Sequence, residues 1–177
     1  MITPSSARTI RRLQSRHVRR PSFKAEPVDE TFFESAPARI EESFDIARPA
    51  ADVWSELTEG NPLGWCRIID RIDWTSPAPF RVGTTRTVHA LKGTNVMNEH
   101  YFRWEEGRRK SFYVVDASAP LFQRFAEDYL VEPTSENSCR FTWTIAFEPR
   151  AAMRPGTPVN KRLLGTLFTD TRKHYAA

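Results

Sequence analysis

The first clear pattern of apolar and polar positions in the chain begins near residue 38. Apolar and polar residues alternate there as they do in a half-buried strand, so we predict a strand from Ala38 to Ile46. Pro49 follows, and its fixed φ suits the first turn of a helix. Because apolar residues recur one turn apart behind it, we predict a short helix from Ala50 to Leu57. The sequence therefore predicts a strand that leads directly into a short helix.

The middle of the chain predicts a series of strands separated by breaks that contain Pro or Gly. A second short helix, Leu63 to Arg67, is predicted first, with Trp65 as its buried anchor. Further strands are predicted at residues 68–74, 84–91, 95–105, 110–117, 122–131 and 140–148. The charged residues around the turn at Glu105 to Arg108, among them Lys110, are interpreted as a solvated hairpin end.

The last predicted element is a long helix from Val159 to about Tyr175. Its apolar stripe consists of Leu163, Leu164, Leu167, Phe168 and Thr171. Such a stripe has to be buried, and the preceding strands offer the concave side of a curved antiparallel sheet. We therefore predict an α+β domain in which about seven strands curve around a long C-terminal helix.

Charge divides the chain into two parts. Residues 1–24 contain seven basic residues and no acid, whereas residues 25–177 contain the other 19 basic residues and all 22 acids. Prolines punctuate the segment from Pro21 to Pro37, which we interpret as a linker. We expect a basic, disordered tail and linker over residues 1–37 and one folded domain over residues 38–177. Since the folded part is not basic, no nucleic-acid partner is expected for it.

The Arg-rich tail has three interpretations. Its acid-free composition is typical of an organelle transit peptide, of a segment that contacts anionic surfaces, and of a solvated extension without structure. The chain shows neither a secretory signal nor an apolar run long enough to span a bilayer. Cys66 and Cys139 lack the spacing of metal or redox motifs. The sequence allows a disulfide between them but does not imply one, and we interpret them as buried free thiols in a reducing, cytoplasmic environment.

Four features follow one another in an order that is typical of one superfamily. They are the Pro-Ala-Ala-Asp-Val-Trp run at residues 49–54, Trp65 before the second strand, the Phe-Arg-Val-Gly-Thr turn at residues 80–84, and a series of strands closed by a Leu-rich helix. Over about residues 38–175 the chain resembles the START-like (SRPBCC, helix-grip) superfamily, in particular its polyketide cyclase/dehydrase branch. The resemblance implies a cavity between the long helix and the sheet that holds a small apolar or lipid-like molecule.

Candidate site residues are those that would face such a cavity. The wall is expected to include Trp54, Trp65, Phe112, Tyr129, Trp143, Leu164, Leu167 and Phe168, and the polar contacts to come from some of Arg86, Asn98, Glu99, His100 and Tyr113. Glu99 and His100 are the candidate acid/base groups, but as neighbours on one strand only one of them can point inward. His100 shares its face with Phe102 and Trp104, and the face of Glu99 also carries an aromatic residue, so alternation leaves the choice open.

The function expected from these features is the binding of a small hydrophobic molecule. The alternatives are a cyclase or dehydratase that acts on a polyketide-like substrate by acid/base catalysis, and a protein-interaction module that uses the Arg-rich tail. Whether the protein is an enzyme, which ligand it takes and its oligomeric state stay open. Since the chain has no nucleotide-binding glycine motif and no metal-ligand spacing, no cofactor and no metal are expected.

Overall fold

The computed structural model of the protein describes residues 20–176. Its strands are β1 (Phe23–Lys24), β2 (Ala38–Ile46), β3 (Ile69–Trp74), β4 (Thr85–Ala90), β5 (Asn95–Glu105), β6 (Arg109–Ala117), β7 (Phe122–Ser135) and β8 (Ser138–Pro149). The helices are α1 (Phe32–Ser35), α2 (Ala50–Thr58) and α3 (Thr157–Tyr175), and a 3-10 helix, Ala151–Gly156, leads into α3. Residues 1–19, which hold most of the Arg-rich tail and its predicted disorder, lie outside the described residues.

Seven strands form the main path of one antiparallel sheet, in the order β2-β8-β7-β6-β5-β4-β3. The sheet curves into a half-barrel around α3, whose Leu164, Leu167 and Phe168 are buried. The ring of Phe168 packs edge-on against Trp143 of β8, with 5.2 Å between the centroids. The predicted α+β arrangement is therefore confirmed, and the apolar stripe of the terminal helix faces the sheet. Within residues 20–176, no helix has the length and apolar character needed to cross a membrane.

The predicted second short helix, Leu63 to Arg67, is wrong. Leu63 has a φ of 58°, in the left-handed region that a right-handed helix does not use, and the segment forms turns. Trp65, its predicted anchor, stacks on His174 of α3 with 4.1 Å between ring centroids and donates from Nε1 to Thr171 Oγ1 at 3.0 Å. Trp65 therefore fastens this loop to the end of α3.

The segment that precedes β2, predicted as a linker, is packed on the sheet. β6 and β7 diverge toward one end, and β1 fills the gap by pairing with β6 at Phe23 and Lys24. Phe32 and Phe33 of α1 are buried against the outer face of the sheet. The linker interpretation was based on the prolines, but two adjacent phenylalanines bury enough apolar surface to hold the segment in place. The linker interpretation is therefore wrong for residues 23–35.

A β-bulge in β5 changes which side chains face inward. The register with β6 shifts between Tyr101 and Arg103, so that Phe102 is the extra residue. Tyr101 and Trp104 consequently pack together inside, with 5.1 Å between ring centroids, whereas Phe102 stacks outside on Phe33 at 6.2 Å. Strict alternation places Phe102 and Trp104 on one face, so that part of the sequence interpretation was wrong.

Candidate functional site

A narrow cavity lies between the concave face of the sheet and α3. Its volume is about 60 Å³, enough for a few water molecules and well below the roughly 300–1,000 Å³ of ordinary ligand pockets. Aliphatic side chains from β3, β4 and α3 form most of its wall, among them Ile72, Val88, Leu164 and Leu167. The cavity is therefore apolar and small.

One wall of the cavity carries a buried ion pair. Arg86 of β4 and Glu99 of β5 are register partners, and Arg86 donates from Nε to Glu99 Oε2 at 2.5 Å. Their side chains are only 1% and 4% exposed. The guanidinium also lies over the ring of Phe112, 4.5 Å from its centroid. Burial alone lowers the pKa of Arg86, but the adjacent carboxylate outweighs burial and raises it, so the guanidinium stays charged.

Glu127 of β7 is a second carboxylate that lines the cavity. Its Oε2 accepts hydrogen bonds from the Tyr129 hydroxyl at 2.9 Å and from Trp143 Nε1 at 3.0 Å. Burial and the nearby charge of Glu99 raise the pKa of Glu127 to about 7, although Arg86 and the two hydrogen bonds oppose the shift. Near neutral pH, Glu127 can therefore hold or release a proton inside the cavity.

Lys110 of β6 is buried beside this group without lining the cavity. Its Nζ donates to the backbone oxygen of Leu57, one of the last carbonyls of α2, at 2.5 Å. Between 5.1 and 5.9 Å from the amine lie the ring centroids of Trp54, Trp74, Tyr101, Trp104 and Tyr129. Burial holds the pKa of Lys110 well below its ordinary value. The interpretation of Lys110 as part of a solvated hairpin end was therefore wrong, because its side chain caps α2 from inside.

Three polar atoms of the cavity lining have no hydrogen-bond partner among residues 20–176. They are Arg86 Nη1, Asn95 Oδ1 and Asn160 Nδ2. A buried polar group without a partner costs about 1–3 kcal/mol, which a molecule that supplies the missing hydrogen bond would recover. The site thus offers two donors and one acceptor in otherwise apolar surroundings.

The structure brings part of the predicted site together. Glu99 lines the cavity with Arg86, Tyr129, Trp143, Leu164 and Leu167. Four other predicted wall residues do not belong to the lining: Trp54, Phe112 and Phe168 are buried in the adjoining core, and Trp65 lies at the end of α3. The cavity is therefore narrower than the one predicted from the sequence.

Asn98, His100 and Tyr113 lie on the outer face of the sheet, so the prediction that Asn98 and Tyr113 line the cavity was wrong. Asn98 hydrogen-bonds with side chains of the neighbouring strands, and the rings of His100 and Tyr113 pack 5.3 Å apart. Of the two candidate acid/base groups on β5, Glu99 points inward. The ion pair with Arg86 explains this choice, because it gives the buried carboxylate a charged partner.

Three polar lining residues were not selected from the sequence: Asn95, Glu127 and Asn160. Glu127 could have been selected, because it shares a face of its strand with Tyr129, which was a predicted wall residue. Asn95 begins a strand and Asn160 lies in the first turns of a helix. Polar residues are ordinary at such positions, so neither asparagine stood out.

Comparison with known proteins places the chain among relatives of similar length. A sequence model of the family described as polyketide cyclase/dehydrase and lipid transport matches residues 37–173. Uncharacterised proteins from Mycobacterium bovis and Mycobacterium tuberculosis are 34% identical to the chain over 145 residues, which cover 80% of this chain and 84% of each relative.

Solved structures of low sequence identity share the fold. A START superfamily protein from Mycobacterium smegmatis has a TM-score of 0.63 at 10% identity and covers 78% of this chain and 97% of its own. The Zhui aromatase/cyclase from Streptomyces sp. R1128 has a TM-score of 0.63 at 14% identity, with coverages of 77% and 89%. For a major latex-like protein from Panax ginseng the TM-score is 0.56 at 18% identity, with coverages of 79% and 98%. At these identities the likeness extends to the fold alone.

Proposed function

Since the chain belongs to the polyketide cyclase/dehydrase and lipid transport family and has a START-like fold, we propose that it binds a small hydrophobic molecule between the sheet and α3. The observation that carries this proposal is the composition of the cavity. Its aliphatic wall favours an apolar body, and the unpartnered polar atoms of Arg86, Asn95 and Asn160 favour a molecule that also bears an oxygen. A hydrophobic ketone, ester or alcohol has this chemistry.

Binding of such a molecule requires the cavity to widen, and α3 is the element that is placed to move. Ion pairs join Asp170 to Arg67 and Arg172 to Glu42, and a hydrogen bond joins His174 to Glu56, all in its last two turns. Among the described residues, the part of α3 from Thr157 to Thr169 forms no ion pair with the sheet. That part of α3 is held by the apolar packing of Leu164, Leu167 and Phe168. We infer that its first turns, where Asn160 and Leu163 line the cavity, tilt outward while the C-terminal end stays fixed.

The test is the binding of an apolar fluorescent dye, measured by titration of the full chain. Leu164→Trp fills the cavity from α3 and Ala90→Leu fills it from β4, and each is expected to weaken dye binding by at least about tenfold. Thr169→Trp is the matched control, because Thr169 is an exposed residue of the same helix that does not line the cavity. Circular dichroism establishes that the variants are folded. Equal dye binding by all four proteins, or none by the unaltered chain, would rule out the cavity as a binding site.

A second function, acid/base catalysis on a polyketide-like substrate, is favoured by Glu127. Its pKa of about 7 and its place in the lining suit a group that exchanges protons with a bound molecule. Arg86 Nη1 is in turn available to an oxygen on which negative charge develops. Glu127→Gln is expected to abolish turnover of a poly-β-ketone mimic while leaving its binding within about threefold. If turnover persists in this variant, Glu127 is not the catalytic group.

The third possibility, an interaction module that depends on the Arg-rich tail, stays a prediction. Most of that tail lies outside the described residues.

A further inference from the structure

The cavity reaches the surface where three segments meet. Its partly exposed lining residues include Leu91 in the turn between β4 and β5, Leu121 before β7, and Asn160 and Leu163 in the first turns of α3. We call this region the mouth. A molecule that enters or leaves the cavity passes between these segments. The charge and polarity of their surfaces therefore determine what kind of partner can deliver the molecule or receive it.

The mouth is basic and contains no compensating acid in its three segments. Residues 89–98, 117–126 and 150–169 include no Asp or Glu. The exposed cations of these segments, which we call the basic rim, are Lys92, Arg154, Lys161 and Arg162. The salt bridges within residues 20–176 involve none of the four, and residues 1–19 contain no acid that could pair with them. The charge of the rim is therefore free to act on a partner.

An acid does lie beside the mouth, but it is already engaged. Asp70 of β3 accepts the backbone N–H of Lys92 at 3.2 Å and that of Gly93 at 2.7 Å. These bonds hold the turn that carries Lys92. Asp70 thus helps to shape the rim. A second acid, Glu148, lines a surface pocket with Arg154 but is paired with Arg124. The four cations of the rim therefore stay in excess.

Apolar side chains are exposed among these charges. Val159 is 70% exposed, and Pro120 and Pro158 are exposed beside it in the mouth segments. Single exposed apolar residues are ordinary on protein surfaces. Apolar residues surrounded by uncompensated cations, however, match the interface of an anionic bilayer, where headgroups attract the cations and the acyl boundary takes up the apolar side chains.

From this arrangement we infer that the basic rim and Val159 form a docking surface for an anionic lipid bilayer, from which the hydrophobic molecule enters the cavity. The inference rests on the proposed function for the role of docking, although docking itself can be measured without it. The surface adjoins the half of α3 that forms no ion pair with the sheet, so contact with a bilayer acts on the part of the wall that has to move.

The experiment measures co-sedimentation of the full chain with vesicles at low ionic strength. One set is pure phosphatidylcholine, and the other contains about one-third phosphatidylglycerol. Lys161→Gln/Arg162→Gln neutralises half of the rim. At about 1 kcal/mol per cation, it is expected to weaken binding to the anionic vesicles by about 30-fold. Val159→Ser is expected to weaken it by about five- to tenfold, and added salt to weaken binding of the unaltered chain.

The matched control is Arg81→Gln/Lys173→Gln, at two positions away from the mouth. Like the first pair, it removes one exposed Arg and one exposed Lys that form no salt bridge within residues 20–176, and it leaves the Arg-rich tail unchanged. We expect it to bind within about threefold of the unaltered chain. Equal weakening by both pairs would assign binding to overall charge or to the tail and would overturn the inference.

Two further outcomes separate this inference from the proposed function. A chain that binds the apolar dye but ignores anionic vesicles refutes docking and leaves cavity binding intact, and the rim would then suit an acidic protein instead. A chain that docks through the rim but takes up no dye supports the docking surface and refutes the cavity as a binding site.

Discussion

Replacement of Glu127 by Gln should change how the stability of the fold depends on pH. Burial raises the pKa of Glu127 from 4.5 to about 7 in the folded protein. Below pH 4.5 the carboxyl is protonated in both the folded and the unfolded state and causes no difference. As the pH rises above 4.5, the unfolded chain releases its proton while the folded protein still keeps it, and above about pH 7 the folded protein has to ionise a buried group. Stability is therefore lost between about pH 4.5 and pH 7.

The size of this loss follows from the pKa difference. The difference between a pKa of 4.5 in the unfolded chain and about 7 in the folded protein corresponds to about 3 kcal/mol. The substituted glutamine cannot ionise, and its amide oxygen can still accept the hydrogen bonds from Tyr129 and Trp143. We therefore expect Glu127→Gln to gain about 3 kcal/mol relative to the unaltered protein on going from pH 4.5 to pH 8.

Urea unfolding at several pH values, followed by tryptophan fluorescence, measures this difference directly. Glu34→Gln is the matched control, because Glu34 is an exposed glutamate of α1. Its unfolding free energy should follow that of the unaltered protein at every pH. If the unfolding free energies of Glu127→Gln and of the unaltered protein change in parallel between pH 4.5 and pH 8, the pKa of Glu127 is not raised in the folded protein. The argument for proton exchange in the cavity then fails.

Two further changes test the ion pair and the packed N-terminal segment. Arg86→Met leaves the Glu99 carboxylate buried without its partner and should cost about 3–5 kcal/mol, whereas Arg86→Met/Glu99→Met should restore most of that loss. Urea unfolding decides between this outcome and additive destabilisation, which would mean that the pair is not coupled. Phe33→Ala should cost about 3 kcal/mol and lower Tm, whereas Phe23→Ala, at a residue that is 36% exposed, should cost much less. Equal Tm values for the two variants would show that α1 contributes no packing.

The fold could be predicted because its signals are local and repeated. β2 and β5 have the predicted bounds, since both strands have regular alternation and a clear break at each end. α3 was recognised from a stripe whose burial needs only the helical period. The helix predicted at Leu63 failed because its backbone adopts a left-handed φ of 58°, which the apolar pattern does not report.

The errors in the candidate site arise from long-range contacts. The bulge at Phe102 depends on how β5 pairs with β6, and one extra residue is enough to move Trp104 to the inner side. Lys110 is separated from Leu57 by 53 positions, so nothing near Lys110 in the sequence indicates that it caps α2. Such contacts exist only once the sheet has formed, and the local pattern around each residue favours a solvated surface.

Alternation along β5 leaves open whether Glu99 or His100 points inward, and the residue opposite on β4 determines the outcome. A carboxylate alone in an apolar cavity loses several kcal/mol of hydration, which favours His100 as the inner residue. The strand pairing, however, places Arg86 directly opposite Glu99, and a one-residue slip of β5 that put an inward His100 in that place would leave the guanidinium buried without a counter-charge. The pair is stable only if both charges face the same side, so the inner residue of β5 is determined by its neighbour on β4. Both residues of the pair line the cavity, and Arg86 Nη1 has no hydrogen-bond partner there. For this reason the structural ion pair is also the polar end of the proposed binding site.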